Sequence, residues 1–424
     1  MTPISRRHFL HSTAAVSAAV LTQAISSSAS PQLPPNFSNL KPLGDRVHPL
    51  TPDDFHDRLL RAQHRMSEVK PAFDALVIGP GSSLYYFTGI RWGLSERLLA
   101  LVLPRSGEPI LICPAFEESR MRESLRFPLD VHLWQEDESP SQLIASTLAA
   151  GKIRSGRIAI EEALPFMFYD YLRAAASSFT FLSADPVTVP LRSRKSAQEL
   201  EFQRLACEAT CNVYREVFAS LKEGMAQEEI AALISAGYSK MNLRGYALVL
   251  IGASAALPHG SRQTQKLKEG DVILIDGGCT VEGYESDVSR TGVLGKPNEK
   301  IQRVFEIVRK AQDAALDAAR AGKLSGSVDD AARNVITAAG YGPGYKFFTH
   351  RLGHGIGLDG HEHPYLVRAS TTVLEPDMTF SNEPGIYIPN EFGLRCEDVM
   401  AISPDGPAQL LTPKFQSSLE NPSG

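Results

Sequence analysis

The chain has 424 residues, 43% of them apolar and 21% charged, with a formal net charge of −5. That length exceeds one ordinary domain, so two domains with a substantial core are expected. The acidic balance and the lack of a long basic run exclude nucleic acid as a partner, because phosphate binding needs a Lys/Arg footprint.

The first element is at the N-terminus. Ser5-Arg6-Arg7-His8-Phe9-Leu10 opens a basic start, followed by a short apolar stretch to about Ile25 and small residues at Ser27-Ser28-Ala29. This order matches a twin-arginine-type signal peptide over 1–29, which implies export of the folded chain to the periplasm or beyond. The stretch is too short and too rich in Ser and Thr for a stable membrane span. Residues 30–51, rich in Ser and Pro, read as a linker.

From 52 to 188 helical and strand patterns alternate, which describes an α/β domain. Ala75-Leu76-Val77-Ile78 is a strand stopped by Gly79-Pro80-Gly81. Leu98–Leu103 and Ile110–Cys113 form a pair around Arg105-Ser106-Gly107, and Ile158-Ala159-Ile160 is a further strand. The boundary falls between Ala184 and Ser196. Ser196 and Glu199 then fit a capping box, opening a long helix with Leu205, Ala209, Val213, Val217 and Leu221 on one stripe. A second helix carries Ile301, Val304, Phe305, Val308 and Ala315, and a third runs from Ser327 to Gly340. Strand patterns occupy Val272–Asp276, Glu285–Thr291 and Thr379–Ile388. Residues 189–415 therefore read as an α+β domain of helices and antiparallel strands, with 416–424 as a flexible tail. The five cysteines suggest no disulfide framework, and Cys207 and Cys211, one helical turn apart, read as packing.

The chemistry concentrates in the second domain. Asp276 ends an apolar strand, and a short loop returns the chain through Asp287, so a hairpin can set the two carboxylates side by side. Like charges held together are destabilising without a counter-cation. His350, His354, His361 and His363 then fall within fourteen residues, and His354 is flanked by glycines in Gly353-His354-Gly355-Ile356-Gly357. This is neither a phosphate loop nor an HExxH zinc helix, since Arg351 stands where that Glu would be. Glu383 and Glu397 follow in apolar, strand-like surroundings, where a buried acid needs a partner or a metal.

In this order and these contexts, the residues resemble the "pita-bread" metallopeptidases, which include methionine aminopeptidases, Xaa-Pro aminopeptidases and Xaa-Pro dipeptidases. The segments are Ile275-Asp276-Gly277-Gly278, Ser286-Asp287-Val288-Ser289-Arg290-Thr291, Gly353–Leu358, Asn382-Glu383-Pro384-Gly385-Ile386-Tyr387 and Arg395-Cys396-Glu397-Asp398. Leu84-Tyr85-Tyr86-Phe87-Thr88-Gly89 similarly resembles the creatinase-type N-terminal domain of the Xaa-Pro branch. The resemblance implies an α+β pita-bread catalytic domain preceded by a smaller α/β domain. It implies two divalent metal ions, with manganese expected and cobalt, zinc or iron as alternatives. Asp276 would bind one, His354 and Glu383 the other, and Asp287 and Glu397 would bridge them. A metal-bridging hydroxide would hydrolyse the peptide bond preceding proline. His259, His361 and Glu383 would be catalytic. His259, His350, His361 and Arg395 would meet the substrate, with Arg395 orienting a bridging carboxylate or receiving a substrate carboxylate. A homo-oligomer, dimer or tetramer, is implied as well. Cys279, Cys396 and His363 lie beside these segments without an inherited role. Two other readings remain: a same-fold hydrolase or lyase acting on a non-peptide molecule, and a non-catalytic peptide-binding module.

Overall fold

The computed structural model describes residues 33–422, apart from 262. The signal-peptide expectation lies outside these residues. The chain divides at Asn39 into two units. The described part of the first holds a single 3-10 turn, Pro35–Asn39. All that follows concerns the second.

The linker expectation needs correction from Leu40 onwards. Leu40 and Leu43 are buried, Gly44–Arg46 forms a 3-10 turn, and Arg46 clasps Glu208 through two bonds of 2.7 and 2.6 Å. Two leucines three residues apart give this polar stretch an apolar anchor that its Ser/Pro content conceals.

The N-terminal domain opens with α1 (Pro52–Glu68), capped by Thr51 and Asp54 in a reciprocal box. It continues through β1 (Ala75–Ile78), α2 (Ser82–Thr88), β2 (Ala100–Pro104), β3 (Ile110–Pro114), α3 (Glu118–Glu123), β4 (Asp130–Trp134), α4 (Pro140–Ala150), β5 (Gly156–Ile160), α5 (Phe166–Ala175), β6 (Phe179–Ser183) and α6 (Asp185–Ser193). The strands form one six-stranded mixed sheet in the order β4-β3-β2-β1-β5-β6. Every residue of β1 is buried, so an unbroken apolar run marks the sheet centre rather than alternation.

The C-terminal domain begins with α7 (Ala197–Phe218), where Ser196 and Glu199 form the capping box expected from the sequence. Then come α8 (Gln227–Lys240), β7 (Gly245–Ile251), β8 (Val272–Val281), β9 (Tyr284–Glu285), β10 (Val288–Val293), α9 (Glu299–Ala318) and α10 (Ser325–Ile336). After these follow β11 (Gly353–Gly355), β12 (Glu362–Leu366), β13 (Thr379–Asn382), β14 (Gly385–Ile388), β15 (Phe392–Arg395), β16 (Asp398–Ala401) and β17 (Gln409–Leu410). Strands β10-β8-β7 make one antiparallel sheet, β12-β11-β13-β16-β17 a second, and β14-β15 a separate hairpin. Helix α7 packs against β8, with the Thr210 hydroxyl 3.6 Å from Cys279 Sγ, and its stripe of Leu205, Ala209, Val213 and Val217 is buried. Helices α9 and α10 bury Val304, Val308, Ala332 and Ile336 in one core with Leu274, Phe380 and Met400 from the strands. Two helical layers thus hold the two sheets.

Two strands read as continuous are split. Glu285–Thr291 breaks at Ser286-Asp287, and Thr379–Ile388 breaks at Glu383-Pro384, where the chain leaves one sheet for another. Pro384 has no N–H to offer a ladder. At the other break the Ser286 hydroxyl accepts from Cys279 N at 3.0 Å, and a Cβ on Gly278 would meet Ser286 O at 1.9 Å, so only glycine fits opposite.

The tail expectation also fails. Gln416 and Leu419 are buried: the Gln416 side chain accepts from Thr291 N at 3.1 Å and donates to Thr291 O, and Leu419 O accepts from Val293 N at 3.2 Å. Residues 416–419 thereby satisfy β10's outer edge, which would otherwise be left with open backbone groups. Among the described residues, no helix is long and apolar enough to cross a membrane.

Candidate metal centre

The acid cluster is assembled by strand register. Asp276 lies opposite Ser289 in the β8–β10 ladder. Asp287 precedes Ser289 by two residues, so the pleat puts Asp276, Asp287 and Ser289 on one face. The second sheet supplies the rest: His354 from the middle of β11, Glu383 just after β13 and Glu397 just before β16. Asp287, Glu383 and Glu397 all sit in gaps between strands, where a side chain can turn inward without interrupting a ladder.

These residues converge. Donor atoms of Asp276, Asp287 and Glu397 lie within 4.8 Å of one another, as do those of His354, Glu383 and Glu397, and those of Asp287, His354 and His361. Glu397 belongs to the first two sets, and Asp287 to the first and third. His354 Nε2 is 3.3 Å from Glu383 Oε1 and 3.7 Å from Asp287 Oδ2. The His361 ring stacks on His354 with centroids 3.6 Å apart, and a cleft of about 170 Å³ also takes in His259, His350 and Arg351. The structure therefore gathers every site residue proposed from the sequence around one cleft.

Electrostatics show what the cluster lacks. Burial, together with the neighbouring Asp276 and Glu383 charges, pushes the Asp287 carboxyl well above its usual range. Burial and the charges of Asp287, Glu383 and Asp276 do the same to Glu397, and burial raises Glu383 to about 8. Only Asp276 is held low: burial opposes its charge, but Arg395 2.5 Å away and the Ser289 hydroxyl outweigh it. Four carboxylates, two buried and two half-buried, around one guanidinium form a site short of positive charge. Oxygen-rich donor sets with one imidazole fit borderline divalent cations, so the residues suit a pair of them. Burial lowers His354 to about 3, which leaves its ring neutral, the form that ligates a metal. Its backbone N donates to Ser381 Oγ at 3.0 Å, and Nδ1 lies 3.1 Å from Gly355 O, which turns Nε2 toward the acids.

Two residues expected at the substrate also hold their neighbours in place. Arg395 is buried, and each of its three nitrogens donates once: Nη2 to Asp276, Nε to Ser289 Oγ at 2.9 Å, and Nη1 to the Tyr387 hydroxyl at 2.9 Å. It orients the acids. His350 Nδ1 donates to Arg351 O at 2.7 Å, so Nε2 accepts from the Tyr387 hydroxyl at 2.8 Å. With both nitrogens occupied, His350 positions its neighbours.

Ser289, Ser381 and Tyr387 are the residues that sequence reasoning passed over. Each lies two to four residues from an acid, and on a strand a two-residue spacing is a shared face. Ser289 Oγ sits 2.7 Å from both Asp276 Oδ1 and Glu397 Oε2. Tyr387→Phe removes the hydroxyl linking Arg395 to His350. Loss of such a supporting contact lowers activity or metal affinity roughly 10- to 100-fold, to be checked by steady-state kinetics across a metal titration with the fold intact by circular dichroism.

The residues without an inherited role fall outside the cluster. All five cysteines are buried and unpaired, with Cys279 Sγ against Thr210 and Cys396 Sγ against Gln416. His363 is exposed, and its ring lies 4.8 Å from that of Tyr365. Glu362, next to His361, is clamped by Arg192 at 2.6 Å and Lys195 at 2.7 Å. The end of the N-terminal domain thus fixes the strand that presents His361.

Comparison with known proteins agrees with this geometry. Residues 201–404 match metallopeptidase family M24, and residues 58–194 match the creatinase/prolidase N-terminal domain. The chain is 34% identical to a probable dipeptidase PepE of Mycobacterium tuberculosis over 339 residues, 78% of this chain and 88% of that protein. It is 32% identical to an Xaa-Pro dipeptidase of Pyrococcus horikoshii, over 80% of this chain and 93% of that protein. Among solved structures, dipeptidase PepE from Mycobacterium ulcerans superposes with a TM-score of 0.80 at 33% identity, covering 87% of this chain and 98% of that one. A prolidase from Thermococcus sibiricus gives 0.76 at 32% identity, covering 85% and 97%. Fold, converging acids and sequence similarity together place this chain in metallopeptidase family M24, as a peptidase with a creatinase/prolidase-type N-terminal domain.

Proposed function

We propose that this chain hydrolyses the peptide bond preceding proline, with Xaa-Pro dipeptides as its substrates, and that it uses two divalent cations. The observation that carries the reading is the pair of overlapping donor sets, Asp276/Asp287/Glu397 and His354/Glu383/Glu397, joined through Glu397. The second cation would have Asp287 within reach of His354 as well, so Asp287 is the second shared ligand. When bound, such a pair supplies an activated water and polarises the scissile carbonyl.

The chain's own groups do the rest. His361 and His259 line the cleft with exposed rings, free to donate to the carbonyl oxygen as negative charge develops there. Glu383 turns Oε1 toward Ser381 and His354, leaving Oε2 to carry a proton to the leaving group. A prolyl nitrogen has no N–H of its own, so it departs only once protonated. Arg395 and Ser289 hold Asp276 and Glu397 in place throughout.

The same proposal includes manganese as the resident metal, suited to a site rich in carboxylate oxygen. It also includes export through the Arg6-Arg7 signal to the periplasm or beyond, and a dimeric or tetrameric working form. Protein stripped with chelator and reloaded with manganese should cleave Ala-Pro, leave Ala-Ala nearly untouched, and lose turnover when stripped again. Stoichiometric metal with no cleavage of any proline dipeptide would refute the assignment.

A further inference from the structure

We propose that Arg192, in the last helix of the N-terminal domain, is a positioning residue for the reaction: it brackets His361 from both sides and holds that ring where the substrate's carbonyl oxygen gathers charge. This inference rests on the Xaa-Pro reading above and deepens it. Arg192 belongs to α6, and its side chain is 12% exposed. The two hydrogens of Nη2 go to Asp359 Oδ2 and Glu362 Oε2, each at 2.6 Å. Asp359 precedes His361 by two residues and Glu362 follows it by one. One nitrogen of the N-terminal domain thus ties both flanks of a cleft histidine.

The bracket is itself held. Nη1 donates to Ser83 Oγ at 3.0 Å, the Ser82 hydroxyl donates to Asp359 Oδ1, and Lys195 Nζ donates to the second Glu362 oxygen at 2.7 Å. Burial opposes the charge on Glu362, and Lys195 and Arg192 more than offset it, so the carboxylate stays ionised against the guanidinium. A planar guanidinium can hold two carboxylates at a fixed spacing, which a flexible point charge cannot.

His361 needs this support. Among the described residues its ring makes no hydrogen bond, and its ring contact is the stack on His354. Asp359, Gly360 and His361 belong to no strand, so no ladder fixes them. A cavity of about 190 Å³, lined by Arg192, Asp359, His361 and Glu362 among others, borders the bracket and gives these residues room to shift once the guanidinium is gone. A donor aimed at a developing oxyanion acts in the transition state and only at the right distance, and a displacement of about 1 Å costs about 10²-fold. Loss of Arg192 should therefore lower kcat and kcat/KM together and leave KM alone.

The test is a double-mutant cycle on Ala-Pro with manganese-loaded full-length protein. Arg192→Gln should lower kcat roughly 10- to 100-fold, with KM within about threefold of wild type and metal content retained. In a His361→Ala background the same change should cost less than about twofold, because the group it positions is absent. A kcat within about twofold of wild type, or full additivity with His361→Ala, overturns the inference. If Arg192→Gln does not fold, Asp359→Asn decides, since Asp359 is half exposed and its loss opens one flank. A fall in kcat that vanishes in the His361→Ala background supports the bracket, and a wild-type kcat overturns it. Imidazole NMR spectra of metal-free, histidine-labelled protein read the ring without turnover. The His361 signal, assigned by its absence in His361→Ala, should move in Arg192→Gln while that of His132 on β4 stays, and an unmoved His361 signal overturns the inference. No cleavage of any proline dipeptide by wild type would refute the Xaa-Pro reading, and the spectra would then decide the bracket alone.

Discussion

Asp287→Asn should abolish peptide hydrolysis while making the metal-free protein more stable at pH 8. Asp287 is shared between two donor sets, so its loss impairs both cation sites. Several kcal/mol of transition-state charge stabilisation depend on those sites, which corresponds to a fall of roughly 10³-fold or more in kcat/KM. The stability effect has the opposite sign because the folded cluster disfavours the charged form. Asp287 and Glu397 are pushed well above their usual range, and Glu383 to about 8, all by burial first. A carboxyl raised on folding contributes stability that is complete below its unfolded value, near ~4, and is lost as pH rises through the folded value. Metal-free wild type should therefore melt at a higher temperature at pH 5.5 than at pH 8 (round values that span the window set by Glu383). Asp276, held low by Arg395, works the other way, but its contribution disappears only below about pH 4. The Asn variant should show a shallower slope and a higher melting temperature at pH 8. Manganese should stabilise wild type at pH 8, where the acids are free to ionise, and stabilise the variant much less. Differential scanning fluorimetry in chelator and in manganese reads all of this. A variant less stable than metal-free wild type at pH 8 would contradict the charge argument, and one with a tenth of wild-type activity would contradict the ligand assignment.

The second large effect lies behind the site. Arg290 is a guanidinium with 1% of its surface exposed. It donates to Ser289 O at 3.0 Å, Glu397 O at 2.7 Å, Asp398 Oδ1 at 2.7 Å and Lys414 O at 3.1 Å. It therefore ties β10, which follows Asp287, to β16, which follows Glu397. Arg290→Leu leaves Asp398, itself fully buried, with only Gln312 at 2.8 Å to answer its charge. Breaking a buried pair from one side costs about 3–5 kcal/mol. Arg290→Lys should recover little, because an ammonium cannot span acceptors that the planar fork reaches together. Arg290→Leu combined with Asp398→Leu should regain much of the loss, since the orphaned charge is gone, yet still bind metal poorly without the tie to Glu397. Urea unfolding of the metal-free proteins measures the first effect and metal titration the second. A cost below ~1 kcal/mol for Arg290→Leu would mean that water or a shifted side chain satisfies Asp398.

The sequence by itself determined most of the elements of this protein and singled out the residues of its acid cluster. Asp276, Asp287, His354, Glu383 and Glu397 are legible because five short segments, in order and in context, resemble those of the pita-bread metallopeptidases, while the cost of burying an acid makes each a candidate only. The Ser196–Glu199 box and the stripe of Leu205, Ala209, Val213 and Val217 declared their helix through local rules of capping and periodicity. What only the tertiary structure decided depends on which strand lies beside which. The breaks at Asp287 and Glu383, the buried course of Leu40–Arg46, and the docking of Gln416 on Thr291 follow from distant partners that no local pattern encodes. The different surroundings of the two arginines are of the same kind. Arg395 and Arg351 look alike along the chain, but register buries the first among Asp276, Ser289 and Tyr387 and leaves the second open over Tyr365. A guanidinium's role is set by which acceptors surround it, and those surroundings come into existence only when the two sheets meet.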